Sequence, residues 1–139
     1  MKTESFGVPW EESYGYVQAV RCGDTIYISG QLSNDGPDLV APAPVDEQGR
    51  ITDFGNMGEQ MRQTYVNAAA LLARFGASLA DVVEEVIYVL DMEAAFAVAG
   101  PVRKAAYGVE IPQVASTIVA CSRLAFPAQL LEIKMVARA

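Results

Sequence analysis

The feature that most restricts this chain is one amphipathic helical stripe set between β-prone runs. Met57, Met61, Tyr65, Ala68, Leu72 and Phe75 recur at the spacing that puts apolar side chains on one face of an α-helix. Asn56 stands where an N-cap belongs, and Gly76 lies just past the end. A helix with one apolar face must bury it against a second layer, and the flanking segments supply a sheet. Residues 17–21 (VQAVR) and 25–29 (TIYIS) are short β-prone runs split by Cys22-Gly23-Asp24, the pattern of a hairpin. After a turn at residues 78–81, residues 82–90 (VVEEVIYVL) read as a strand. A second helix is expected from Asp91 to Tyr107-Gly108, with Gly100-Pro101 forcing either a kink or a restart at its middle. Two strands, 116–124 and 129–137, follow it.

Residues 32–53 carry Pro37, Pro42, Pro44, Gly36 and Gly49. They are expected to form a long loop with at most one short strand near residues 50–52, either a lid or a plain surface excursion. The order is then β-β-(β)-α-β-α-β-β, an α+β chain read as one domain over residues 1–139, with a mixed sheet and both helices on one face. The other sheet face would stay uncovered in a monomer. Packing sheets of neighbouring subunits together would bury it, so an oligomer is expected.

Composition narrows the chemistry. The chain has 139 residues, 52% of them hydrophobic, enough for one core. A net charge of -7 and a pI near 4.5 disfavour a protein that grips phosphate backbones, so nucleic acid is not an expected partner. Cys22 and Cys121 form neither a CxxC pair nor a disulfide framework, which fits a reducing cytoplasm. No signal-like apolar core opens the sequence and no run nears the roughly 18 apolar residues of a membrane span, so no membrane association is expected. There is no histidine. That removes the Ser-His-Asp, Cys-His and His-ligated metal constellations together. No metal or cofactor is expected, and any chemistry falls to carboxylates, hydroxyls, backbone amides and water.

Several segments taken together resemble the RidA/YjgF family of reactive-intermediate (enamine/imine) deaminases, also labelled endoribonuclease L-PSP. They are Tyr16-Val17-Gln18-Ala19-Val20, Gly23-Asp24, Ile28-Ser29-Gly30-Gln31, Gln60-Met61-Arg62-Gln63 with Asn67, Gly76-Ala77-Ser78-Leu79-Ala80-Asp81-Val82-Val83, Asp91-Met92, and Leu131-Glu132-Ile133 with Val136-Ala137. No one motif is specific, but their order and spacing cover nearly the whole chain. The resemblance implies a chorismate mutase-like α+β fold and a homotrimer with small-molecule clefts between subunits. It also implies a serine-glycine strand end and a tyrosine lining the cleft, here Ser29, Gly30 and Tyr16, and a glutamate that places the hydrolytic water, here Glu132.

The family's carboxylate-binding arginine does not carry over. Aligning Arg123-Leu124 with the usual R-L puts Ser116 at that position, and a shift of one residue puts Ala115 there. Neither can clamp a carboxylate. Strict alternation points Arg123 to the face opposite Ser116, and Gly100 falls at or beside a usual cleft asparagine. Arg103 is a candidate replacement cation. Ser116 and Thr117 offer hydroxyls at the cleft mouth, with strand-end capping as the alternative. For Glu132 the alternative is a structural ion pair, and for Tyr16 simple burial. Cys121 is expected to pack as a small apolar residue, and Glu84-Glu85, pointing to opposite faces, to be surface charge. The expected function is binding of a small metabolite, with hydrolysis of an imine or enamine other than a small 2-imino acid. The class includes enamines of the 2-aminomuconate type. The alternative is a metabolite-binding trimer without turnover, a sensor or carrier. Ribonuclease activity is disfavoured by the charge and the missing histidine.

Overall fold

The computed structural model describes residues 1–139. In chain order it holds β1 (Lys2–Glu4), α1 (Pro9–Tyr14), β2 (Ala19–Cys22), β3 (Thr25–Gln31), β4 (Asn34–Asp35), β5 (Asp38–Leu39), α2 (Met57–Ala73), β6 (Val82–Val89), α3 (Met92–Tyr107), β7 (Ala115–Ala120) and β8 (Leu131–Arg138). Six strands make one mixed sheet in the order β1-β2-β3-β8-β6-β7. Only β6 and β7, joined through α3, run parallel. The last strand of the chain therefore lies inside the sheet, between β3 and β6.

Alternation along the strands fixes the two faces. In β8, Leu131, Ile133, Met135 and Ala137 are buried, while Glu132, Lys134, Val136 and Arg138 turn the other way. In β6, Glu85, Ile87 and Val89 share the buried face. Met57, Met61, Tyr65, Ala68, Leu71 and Leu72 of α2 close that core from above, and α3 packs beside α2. The fold is thus α+β with its two long helices on one sheet face, as the helical stripe predicts.

Several details differ from the expectation. Helix α3 runs unbroken through Gly100-Pro101. Pro101 lacks the N–H that would bond the Ala97 carbonyl, but both residues lie on the exposed side, where water can serve that carbonyl. Asn56 does not cap α2 with its side chain; its amide donates instead to the Pro42 carbonyl. Strand β7 stops at Ala120, not near residue 124, because its partner β6 ends at Val89, which is in register with Ala120. Strand β1 and the one-and-a-half-turn α1 were not expected. Yet α1 has a readable signature, with Pro9 at its start, Glu11 and Glu12 in its first turn, and Gly15 at φ 93° closing it.

The 32–53 segment is not a free excursion. It contains the β4–β5 hairpin and a lone bridge between Val45 and Ile51. Two buried amides of α2 tie it down. Asn67 Nδ2 donates to the Leu32 and Asn34 carbonyls (2.8 and 2.9 Å), and Gln60 Nε2 donates to those of Ala41 and Ala128 (2.9 Å each).

Candidate functional site

The sheet face away from the two long helices carries an open pocket of about 880 Å³ across β2, β3 and β8. Four expected residues, Tyr16, Ser29, Gly30 and Glu132, line it, together with Trp10, Tyr27, Phe126 and Lys134. A local irregularity builds its floor. Between Ile28 and Gln31, β3 advances three residues while β8 advances two, from Met135 to Ile133. The extra residue bulges β3 at Ser29-Gly30 and re-aims the strand.

Glu132 lies across that bulge. A Cβ on Gly30 would sit 2.5 Å from its Cδ and 2.8 Å from its Cγ, with Oε2 nearer still, so only glycine leaves the carboxylate its place. Within the chain Glu132 forms no ion pair. Burial raises its carboxyl above the ordinary glutamate range. An unpaired carboxylate with raised pKa in a largely apolar pocket can take a proton from water.

A chain of buried amides orients the tyrosine. Gln31 Nε2 donates to Gln18 Oε1 (2.9 Å), and Gln18 Nε2 donates in turn to Glu11 Oε2 (2.9 Å) and to the Tyr16 hydroxyl (3.2 Å). As the Tyr16 oxygen accepts there, its own proton remains free for a ligand. Burial holds this phenol above its usual range. The Ser29 hydroxyl is engaged with the Val17 carbonyl at 2.8 Å and can offer a ligand only its lone pairs. At the rim, Trp10 meets Phe126 edge-on with centroids 5.0 Å apart. The Trp10 indole N–H is buried and makes no full hydrogen bond; the Tyr16 hydroxyl is the neighbour it acts on.

Ser116 and Arg103 are not in this pocket. Strand β7 pairs with β6 so that Ser116 is level with Glu85, on the helix side of the sheet. Glu85, fully buried, collects four donors there: Arg103 Nε and Ser116 Oγ at 2.6 Å on Oε2, and the Tyr65 and Tyr107 hydroxyls at 2.7 Å on Oε1. The surface-charge reading of Glu85 is thus overturned. Burial, then the neighbouring Glu85 carboxylate, pushes both phenols well above their usual range, so they stay donors. Thr117 is level with Val86, on the open face but two strands from Glu132. Ala115, level with Glu84, shares that face, so of the two aligned positions it is Ala115 that faces the Glu132 side. Cys121 also lies near the pocket; burial and then the Glu132 charge raise its thiol. Lys134 escaped the sequence reading, although two residues beyond Glu132 on one strand means the same face. Trp10 and Phe126 carried no local signal; tertiary contact brings them in. No three Cys, Asp or Glu side chains converge in a metal-binding arrangement, and no helix is long and apolar enough to cross a membrane.

Comparison with known proteins bears on this geometry. Residues 10–139 match the family described as Endoribonuclease L-PSP. A RutC family protein of Pyrococcus abyssi is 35% identical over 78 residues, 55% of this chain and 52% of that one, so the chain spans about half the length of the curated relatives it matches. Among solved structures, Rv2704 of Mycobacterium tuberculosis, of the YjgF/YER057c/UK114 family, superposes with a TM-score of 0.79 at 25% identity, covering 99% of this chain and 98% of that one. RidA from the Antarctic bacterium Psychrobacter sp. PAMC 21119 does so at 0.73 and 27%, covering 99% and 94%.

Proposed function

The chain belongs to the endoribonuclease L-PSP family, the YjgF/RidA proteins, and on that footing we propose that it binds a small metabolite in the Glu132 pocket and hydrolyses an imine or enamine there. The observation that carries this reading is the unpaired, half-buried Glu132 carboxylate laid over Gly30. The carboxylate takes a proton from water as its oxygen attacks the C=N carbon. That proton passes to the nitrogen to give the carbinolamine, and the carboxylate then relays the remaining hydroxyl proton to the nitrogen as the C–N bond breaks, releasing a carbonyl compound and ammonia. Imines hydrolyse readily, so orientation by Tyr16 and the pocket walls supplies much of what is needed. The metabolite-binding face would be completed by neighbouring copies in a homotrimer. The pocket is largely apolar and carries Glu84 and Glu132 as well as Lys134, a poor track for a phosphate backbone.

The substrate differs from a small 2-imino acid, because the open face of β7 presents Ala115, Thr117 and Val119 and no arginine. That absence also favours a second reading, binding without turnover. One experiment separates them: ammonia release from a panel of enzymatically generated imines and enamines, with wild type, Glu132→Gln and Ala115→Arg. Turnover of a larger enamine that Glu132→Gln lowers about a hundredfold supports the hydrolase. Saturable binding of the panel with no ammonia from any member supports the non-catalytic reading. Activity of wild type on 2-iminopropanoate would overturn the substrate assignment. Ala115→Arg, and not Ser116→Arg, is expected to confer it.

A further inference from the structure

Most cations of this acidic chain are engaged within the fold. Arg62, Arg103, Lys104 and Arg138 form ion pairs, and Lys2, Arg21 and Arg74 donate to main-chain carbonyls. The side chains of Arg50, Arg123 and Lys134 make no hydrogen bond, ion pair or cation–π contact. All three line clefts. Lys134 belongs to the Glu132 pocket, while Arg50 and Arg123 line a separate cleft of about 460 Å³ between the turn near residue 49 and residues 122–127.

No acidic residue lines that second cleft. Two neighbouring carboxylates face main-chain amides instead: Asp46 Oδ1 accepts from the Gln48 and Arg50 N–H groups (2.9 Å each) and Asp53 Oδ1 from that of Gly55 (2.7 Å), while the exposed Glu47 pairs with neither arginine. In a chain of net charge -7, two guanidinium groups are thus left without a counter-ion in one concave site. Both side chains are exposed along that cleft, and each presents a planar fork suited to carboxylate or phosphate oxygens. Phe126 lines both clefts, so the two adjoin.

We propose that Arg50 and Arg123 form an anion subsite next to the Glu132 pocket, holding the carboxylate or phosphate of a small ligand whose uncharged part lies over Glu132. This rests on the reading of the Glu132 pocket as the ligand cleft. In a 2-imino acid the carboxylate is bonded directly to the reacting carbon and cannot extend past Phe126 into a second cleft. A ligand using both clefts carries its acid group several bonds from the C=N carbon.

The test is a side-chain NMR titration of the full chain, following the arginine Nε–Hε signals at constant ionic strength with inorganic phosphate and, separately, with adipate. The expected result is a saturable shift of the Arg50 and Arg123 signals with Arg62 unmoved, weakened about tenfold by Arg123→Gln and less by Arg123→Lys. Because the Arg123 side chain contacts no partner, both variants should fold. Saturation by adipate alone identifies a carboxylate, and by phosphate alone a phosphate ester; either supports the subsite. Shifts that do not saturate, or that Arg62 shares equally, overturn it. No turnover is read, so the outcomes separate. Hydrolysis unaffected by Glu132→Gln would sink the hydrolase while leaving the anion titration intact. Glu132-dependent hydrolysis without saturation at the arginines would sink the subsite alone.

Discussion

Gly30 and Glu132 constrain each other: the glycine exists as a gap, and the carboxylate fills it. Gly30→Ala is expected to fold but to swing Glu132 aside, lowering turnover about a hundredfold, with circular dichroism unchanged as the control. The raised Glu132 pKa has two opposed consequences. The folded chain holds that proton to higher pH than the unfolded chain does. Stability from this group is therefore fullest below the ordinary glutamate value and declines as pH rises towards the folded value. Activity as a base runs the other way, rising with pH over that same window. Glu132→Gln should lose the rising limb of the pH–rate profile and gain a higher urea midpoint at pH 7. Tyr16, Ser29, Gly30 and Glu132 came from the family resemblance, helped by a glycine at the end of a β-prone run and a carboxylate among apolar strand residues, and all four line one pocket. Ser116 was not, since which way it faces depends on the β6–β7 register, which tertiary packing sets. Glu85 beside Glu84 reads as solvated charge, and its four donors lie 18 to 31 residues away in sequence.

Helices α2 and α3 and strands β6 and β7 meet at the Glu85 carboxylate, which makes it a pin between elements. Removing its charge while leaving its donors in place should cost stability even if no ligand ever touches it. Glu85→Gln is expected to lose about 2 kcal/mol, read from urea denaturation. At Pro101 the opposite holds. Restoring an N–H to the exposed turn of α3 should raise stability by about 1 kcal/mol in Pro101→Ala, with ligand binding in the Glu132 pocket unchanged. The helical period and the β-prone runs made element types readable along most of the chain. Ends were less so, because a strand stops where its partner stops, as β7 does at Ala120. The tethering of the 32–53 segment was also unreadable, for Asn67 and Gln60 look like ordinary polar positions on a helix until their amides meet distant carbonyls.

Across the whole molecule, one sheet face is closed by helices while the other leaves Tyr27 and Val119 each 40% or more exposed. The proposed trimer would cover this surface, so sedimentation should give about three times the chain mass. Val119→Lys should shift that mass towards one chain without lowering the secondary-structure signal, whereas a trimer indifferent to Val119→Lys would place the interface elsewhere. The sheet order has a further consequence, for biogenesis. Because β8 lies between β3 and β6, the two halves of the sheet meet only through a strand that follows all their other strands in the chain. While those residues are still inside the ribosome, the nascent chain holds a β1–β3 hairpin layer and a β6–α3–β7 unit with unfilled edges between them, a state exposed to chaperones and to mispairing. The same strand delivers Glu132, so the pocket can form only once β8 has emerged from the exit tunnel.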